Sequence, residues 1–69
     1  MQLSARNVFA GRITAVKLGS VEAEISLELS PGVVLTSVIT RTSAERLGLK
    51  EGMEASAVIK ASDVLLAVE

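Results

Sequence analysis

The sequence predicts a small all-β domain with one short helix, and three observations support this class. The segment 21–29 alternates apolar and polar residues, as expected for an antiparallel strand with one face buried and the other in water. β-Branched residues occur in short runs bounded by turn residues. Only the segment 40–52 breaks this strand pattern. In 21–29 the apolar face holds Val21, Ala23, Ile25, Leu27 and Leu29, and the polar face holds Glu22, Glu24, Ser26 and Glu28.

Two strands are expected before residue 21. Residues 3–7 form a short first strand or lead into one, and residues 11–19 form the next, ending at the turn residue Gly19. Simple alternation along 11–19 places Ile13, Ala15 and Lys17 on one side of the strand and Thr14 and Val16 on the other.

A hairpin is predicted over residues 21–40. The turn is the sequence Ser-Pro-Gly at 30–32, in which Pro31 suits the second position of a turn and Gly32 the next. Strand chemistry resumes immediately afterwards in Val-Val-Leu-Thr-Ser-Val-Ile-Thr, residues 33–40.

A helix of one to two turns follows the hairpin. Either Thr40 or Thr42 can cap its start, because a threonine side chain accepts a hydrogen bond from a free backbone N–H group. Glu45 stands three residues after Thr42, the spacing of a capping box, and Gly48 ends the helix.

Two strands are predicted after the helix. The first lies within 54–60, where Ala55, Ala57 and Ile59 alternate with Ser56, Val58 and Lys60, and the last lies within 61–69 after a break near Ser62 and Asp63. The total is five or six strands. This order suits a small closed or partly closed barrel of the OB type, in which closure removes exposed strand edges. The alternative is a small sandwich that forms only across a dimer.

The composition predicts self-association. A chain of 69 residues supports one domain, 1–69, and such a domain buries only about 60% of its unfolded surface. The sequence has no Cys and no His, which excludes disulfides and the usual structural metal sites. Yet 49% of the residues are hydrophobic and the mean hydropathy is +0.51. We therefore expect part of the surface to be covered by other copies of the chain.

Several classes of function are disfavoured. The net charge is −1 and Phe9 is the one aromatic residue, so the chain has neither the basic surface nor the stacking platforms typical of nucleic-acid binding. No apolar run reaches membrane-spanning length, and the N-terminus lacks the order of a signal peptide, so a cytoplasmic protein is expected. Without His, Cys or a G-x-S-x-G turn, we predict that the protein is not an enzyme.

The placement of the cations allows an oxyanion site. Arg6 follows Ser4, Lys60 ends a predicted strand, and Thr40 and Ser43 flank a helix start, where free N–H groups favour anions. The plainer interpretation is that a threonine only caps the helix, that Arg6 pairs with a surface Glu, and that the glutamates form a solvated face. Spacing alone leaves both interpretations open.

An ordered set of motifs resembles a known family. These motifs are "SARN" at 4–7, "G-x-V-x-A-E-I" at 19–25, "LTSVIT" at 35–40, "S-x-x-x-L-G-L-x-x-G" at 43–52 and "A-V-I-K-A-S-x-V" at 57–64. Together they resemble the molbindins, the small molybdate-binding Mop proteins, over essentially the whole chain. The resemblance implies a five-stranded, Greek-key, OB-like barrel, called a TOBE or Mop domain. It also implies a homohexamer, a trimer of dimers, that stores molybdate or tungstate at its subunit interfaces.

Carried over position by position, the resemblance implies two sets of oxyanion-binding residues. Arg6 and Lys60 would supply charge, and hydroxyls and backbone amides would complete the first set. The second class of site departs from the family at Glu22, whose carboxylate would repel an oxyanion. An OB-type protein-interaction module without an anion is the alternative function. The first set is Ser4, Ala5, Arg6, Thr40, Ser43, Lys60 and Ala61, and the second is Gly19, Ser20 and Val21.

Overall fold

The protein is an antiparallel sheet with one short helix. The structure, a computed structural model, describes residues 4–69. Within these residues four strands lie in the order β3-β2-β1-β4, and both neighbours of β1 run antiparallel to it. The all-β class with one short helix is confirmed. The elements are β1 (Asn7–Leu18), β2 (Glu22–Ser30), β3 (Val33–Thr40), α1 (Arg41–Leu47), β4 (Glu54–Ile59) and a 3-10 turn (Ala61–Asp63).

Strand β1 is the longest and changes partner along its length. Its first half pairs with β4, from Asn7 opposite Ile59 to Arg12 opposite Glu54. Its second half pairs with β2, starting at Arg12 opposite Glu28. The sheet therefore curls into a half-barrel with β3 and β4 as its two edges.

Where β1 changes partner, it packs so closely against β2 that only a glycine fits at position 11. A Cβ atom there would lie 2.6 Å from the carbonyl oxygen of Glu28 and 2.9 Å from Cγ of Leu27. Real Cβ atoms do not approach backbone oxygens this closely, so a glycine allows β1 and β2 to meet where the sheet curls.

A β-bulge in β1 corrects the predicted face of the strand. Ile13 pairs with Leu27 but Ala15 pairs with Ser26, so Thr14 is an extra residue without a partner. Beyond the bulge the inward positions shift by one, and Val16 packs against the core. The prediction that Ala15 and Lys17 share the face of Ile13 was wrong, because alternation along one strand does not reveal a bulge.

The hairpin prediction is confirmed. Strands β2 and β3 pair along their length, and Gly32 in the connecting turn has a φ of 81°. A type II turn needs such a left-handed residue directly after its proline. The inward face of β2 is also as predicted, except that Val21 precedes the strand and is 72% exposed.

The core of the described chain is small. Five residues are buried: Ile13, Ala23, Ile25, Leu27 and Ala44. Seven partly buried residues surround them, namely Val16, Leu29, Ile39, Leu49, Met53, Ala55 and Ala57. Most of the remaining large apolar side chains are exposed, which agrees with the predicted self-association but does not test it.

The predicted capping box of Thr42 and Glu45 does not form, because the helix is capped two residues earlier. Thr40 is the N-cap, and its side chain accepts a hydrogen bond from the backbone N–H of Ser43. Glu45 is then the fifth helical residue, too far along to reach the N-cap, and it pairs with Arg41 instead, at 3.4 Å. The expected C-cap is confirmed, because Gly48 is left-handed with a φ of 67°.

The first and last predicted strands are not present as such. Residues 4–6 lie outside the sheet, residue 3 lies outside the described residues, and β1 begins at Asn7. Residues 61–63 form the 3-10 turn, and residues 64–69 make no strand pairing within the described chain. The described sheet thus has four strands where five or six were predicted.

Candidate oxyanion site

One group of predicted site residues meets at the end of the sheet where β1 begins. Arg6 directly precedes β1 and Lys60 directly follows β4. Because Asn7 pairs with Ile59, and the Asn7 side-chain amide donates to the Ile59 carbonyl at 3.3 Å, these two cations flank neighbouring strand ends. We call this group the arm cluster; it consists of Ser4, Ala5, Arg6, Lys60 and Ala61.

The two cations of the arm cluster are exposed and lack acidic partners. Among residues 4–69, neither Arg6 nor Lys60 lies within salt-bridge distance of a carboxylate. Among the described residues the one salt bridge is that of Arg41 with Glu45, although Arg12 lies opposite both Glu28 and Glu54 in the ladders and Lys17 lies opposite Glu24. The predicted alternative, a surface pair between Arg6 and a Glu, is therefore not formed within the described chain.

A second group, the helix cluster, consists of Thr40 and Ser43 at the start of α1. The Thr40 hydroxyl accepts from the Ser43 backbone N–H at 3.0 Å and donates to the Ser43 hydroxyl oxygen at 2.8 Å. The proton of Thr40 is thereby used within the cap, whereas that of Ser43 is free to be donated elsewhere. Both hydroxyls would be free only with a Thr42–Glu45 capping box, and this box does not form.

The two clusters lie at opposite ends of β1. The arm cluster adjoins Asn7, the first residue of β1. Thr40 lies opposite Glu22, beside the pair of Leu18 and Ala23 at the last residue of β1. Twelve residues of strand separate the two ends, on the order of 36 Å if fully extended. One chain therefore does not bring both clusters around a single small anion.

The turn predicted as a second class of site lies beside the helix cluster. The Gly19 N–H donates to the Glu22 carbonyl at 2.7 Å, and the Arg41 N–H donates to the Val21 carbonyl at 2.8 Å. The Arg41 guanidinium also donates to the Gly19 carbonyl at 3.2 Å. Ser20 completes the turn and is exposed.

Arg41 was missed by the sequence reasoning. Its only signal was its position between Thr40 and Thr42 in a segment already associated with the site. Glu22, by contrast, lies directly across the ladder from Thr40, so its carboxylate is close to the helix cluster as well as to the turn.

The chemistry of both clusters consists of hydrogen-bond donors. Within residues 4–69, no group of three or more His, Cys, Asp or Glu side chains is placed to hold a metal cation. No described helix is long and apolar enough to cross a membrane. An arrangement of guanidinium, ammonium, hydroxyl and amide groups suits an oxyanion.

The fold and these clusters define a small, curled β-sheet protein with donor-rich strand ends. Residues 3–66 match the family model described as the TOBE domain. The chain belongs to this family, and within it to the molbindin, or Mop, group.

Similar proteins support this assignment. The chain is 50% identical over 66 residues to Molybdenum-pterin-binding protein 3 of Clostridium pasteurianum, covering 96% of this chain and 97% of that protein. It is similar to the structure of MopII from Clostridium pasteurianum, with a TM-score of 0.91, 43% identity, and coverage of 97% of this chain and 100% of MopII. The predicted OB-like class is confirmed by these structural neighbours.

A third neighbour contains a ligand. The chain matches the cytoplasmic molybdate-binding protein ModG with molybdate bound, with a TM-score of 0.94 and 46% identity. The match covers all of this chain and 49% of the ModG chain.

Proposed function

We propose that this protein binds molybdate or tungstate reversibly and stores it in the cytoplasm. The observation that carries the proposal is a pair of cations, Arg6 and Lys60, that lie at adjoining strand ends. Neither of them forms a salt bridge with a carboxylate among residues 4–69. The relatives named for molybdenum-pterin or molybdate binding, one of them described as cytoplasmic, support the choice of anion and compartment. The function requires no catalysis, no nucleic acid and no membrane, and the whole chain, 1–69, acts as one Mop domain.

We infer that each principal site is shared between chains. The arm cluster supplies the positive charge and the backbone amides near Ala5 and Ala61, whereas the helix cluster supplies the hydroxyl donor of Ser43. Because β1 separates the two clusters within one chain, a shell that uses both needs a second subunit. The homohexamer implied by the resemblance, a trimer of dimers, would provide such interfaces.

The mechanism is binding linked to assembly. An anion that is held by two chains stabilises their contact, so ligand raises the stability of the assembly by mass action. Sulfate is also a divalent tetrahedral anion, so selectivity for the larger molybdate or tungstate follows from the size of the cavity rather than from charge. The turn Gly19–Val21 is a weaker proposal for a second class of site, since Glu22 adds a negative charge beside it.

Calorimetric titration of the purified protein with molybdate, tungstate and sulfate tests the proposal. We expect saturable binding of the first two anions and little or no binding of sulfate. Absence of heat with molybdate and tungstate, from a protein shown to be an intact oligomer by light scattering, would refute the function.

An OB-type interaction module without an anion is the second candidate. The large apolar side chains exposed near the C-terminus favour it, with Leu65 at 91%, Leu66 at 92% and Val68 at 97% exposure. Such a module would bind a protein partner through this surface and show no thermal shift with any oxyanion. The same titrations therefore separate the two functions.

A further inference from the structure

Asn7 is a polar residue on the side of β1 that faces the core. Alternation places Asn7 on the same side of the strand as Phe9 and Gly11. Residues that lie directly opposite each other in a ladder share a side of the sheet, and Ala57, opposite Phe9, packs against the core. Asn7 is half-buried there, and a side-chain amide in such a place needs a hydrogen-bond partner.

The partner of Asn7 is a backbone carbonyl of the neighbouring strand. The amide nitrogen of Asn7 donates to the carbonyl oxygen of Ile59 at 3.3 Å, between residues 52 apart in the sequence. Among residues 4–69, this is the one side-chain hydrogen bond that joins β1 to β4. Only the nitrogen of the amide group can donate, so the bond also fixes the orientation of the Asn7 side chain.

This hydrogen bond lies where the ladder of β1 and β4 ends. Asn7 and Ile59 form the last pair of that ladder. Arg6 directly precedes Asn7 and lies outside the sheet, so within the described chain Asn7 attaches it to the sheet. Lys60 directly follows Ile59, and its carbonyl accepts from the Asp63 N–H at 2.9 Å. The backbone next to each cation of the arm cluster is therefore held by the same side-chain bond.

The two cations act against this end of the ladder. The ends of paired strands open more readily than their middles. Arg6 and Lys60 carry the same charge at adjoining strand ends and form no salt bridge among residues 4–69, so they repel each other. This repulsion is strongest when no anion lies between them. A side-chain hydrogen bond across the last pair opposes both effects.

We propose that Asn7 is a positioning residue of the oxyanion site, an inference that rests on the proposed function. Its side-chain amide holds the ends of β1 and β4 together while the site is empty. Arg6 and Lys60 are then already placed to bind the same anion. Without this bond, part of the binding free energy is used to bring the strand ends together, and the affinity falls. Asn7 acts through the two cations and is not itself a ligand.

Two substitutions in the full chain test this role. Asn7→Leu removes the donor and keeps a side chain of similar shape. Thr14→Val is the matched control, because it removes a bond of the same kind from the same strand, between the Thr14 hydroxyl and the Ser26 carbonyl at 3.5 Å. In calorimetric titration with molybdate, we expect Asn7→Leu to raise Kd by about two- to tenfold and Thr14→Val to leave it unchanged. An unchanged Kd for Asn7→Leu, or an equal rise for both variants, would overturn the proposal.

A double-mutant cycle separates positioning from a general effect on stability. If Asn7 acts through the pair of cations, its substitution matters less once Lys60 has been replaced, because one cation leaves no pair to hold together. We therefore expect Asn7→Leu to change Kd by less than about twofold in the Lys60→Ala background. The same rise in Kd in both backgrounds would mean that Asn7 acts independently of Lys60, which contradicts the proposal.

Amide hydrogen exchange supplies a measurement that needs no ligand. In protein free of molybdate and tungstate, we expect the backbone N–H groups of residues 7–9 and 57–60 to exchange faster in Asn7→Leu than in the wild type. Residues 34–38 of β3, which pair only with β2 in the described sheet, are the internal control and should exchange at the same rate in both proteins. Equal exchange at residues 7–9 and 57–60 would show that Asn7 does not hold the strand ends, and the proposal would fail.

Failure of this inference is distinguishable from failure of the proposed function. Wild-type protein that binds neither molybdate nor tungstate overturns the function and, with it, the role of Asn7. Wild-type protein that binds molybdate, together with an Asn7→Leu variant that binds it equally well, overturns only the role of Asn7.

Discussion

At the residue scale, the electrostatic surroundings of the cations differ along the chain. Arg12 and Lys17 face glutamates across the ladders, and Arg41 pairs with Glu45, whereas Arg6 and Lys60, like Arg46 and Lys50, form no salt bridge among residues 4–69. A charge without a counter-ion on the protein attracts an anion from solution more effectively than one already paired. The proposed role of Arg6 and Lys60 follows from the combination of two unpaired charges and their position at adjoining strand ends.

Replacing Arg6 or Lys60 by alanine should weaken molybdate binding. Loss of a hydrogen bond to a charged group costs about 1.5–3 kcal/mol, so we expect Kd to rise by about ten- to 150-fold in calorimetry. Lys50→Ala removes the same charge from an exposed loop and is the matched control. If all three variants bind alike, the arm cluster is not part of the site.

Alanine variants of Thr40 and Ser43 should affect different quantities, the free energy of unfolding for Thr40 and the Kd for molybdate for Ser43. Thr40→Ala removes the N-cap of α1 and should lower the free energy of unfolding by about 1 kcal/mol, measured by urea denaturation. Ser43→Ala keeps the backbone donor to Thr40 but removes the free hydroxyl, so its main effect should be on the Kd for molybdate. Equal effects of both variants on Kd, without a difference in stability, would contradict this division.

At the scale of elements, the curl of the sheet depends on where β1 changes partner. Gly11 allows the close approach of β1 to β2 at that point, and the bulge at Thr14 follows three residues later. Bulges bend a strand and increase its local twist, so the two features act on the same part of the sheet.

Gly11→Ala should therefore destabilise the fold. The added methyl group would contact the Glu28 carbonyl oxygen and the Leu27 side chain, and overpacking of this kind costs about 1–3 kcal/mol. Thermal denaturation followed by circular dichroism measures the effect. Ala10→Ser, at the exposed neighbouring residue, is the control and should change stability little; an unaltered melting temperature for Gly11→Ala would show that the strands can move apart freely.

Local patterns predicted most elements but not how they pair. Alternation identified β2 and β4 correctly, and Pro31-Gly32 and Gly48 marked a turn and a helix end through their backbone preferences. Nothing in the sequence around Thr14 signals a bulge, because a bulge is a property of two paired strands. Similarly, residues 64–69 have strand character, but their pairing partner is not found in the described chain.

The candidate site was predictable only in its parts. Arg6 and Lys60 were named from residue type and position, and the ladder between β1 and β4 places them together. The distance between these cations and Thr40 depends on the sheet order, which short motifs do not encode. Arg41 was missed because its contact with the Gly19 carbonyl arises only once the turn and the helix are adjacent.

At the scale of the whole molecule, the thin core predicts a stability that depends on protein concentration. The five buried residues among residues 4–69 give one chain little stability, and mass action would favour a folded assembly, if one forms, as the concentration rises. We expect the melting temperature to fall when the protein is diluted by about tenfold or more. Scanning calorimetry or the amide signal in circular dichroism measures it. A melting temperature independent of concentration would indicate a stable monomer.

Molybdate should raise the melting temperature of the same assembly. Ligand at about 100 times Kd adds about 2.7 kcal/mol per site to the stability of the folded state. Differential scanning with molybdate and with sulfate at matched ionic strength measures the effect. A shift of the same size with both salts would point to a general salt effect in place of a selective site.

The short 3-10 turn at Ala61–Asp63 has a kinetic consequence. It directly follows Lys60 and directly precedes residues 64–69, whose large apolar side chains are exposed, so a cation proposed to hold the anion and a surface suited to another chain are contiguous in the sequence. If the anion is shared between chains as proposed, a subunit cannot leave without disturbing the backbone next to Lys60, and a bound anion resists that disturbance. The rate at which labelled and unlabelled assemblies exchange subunits should then fall as the anion is added, even at concentrations where every chain is already assembled.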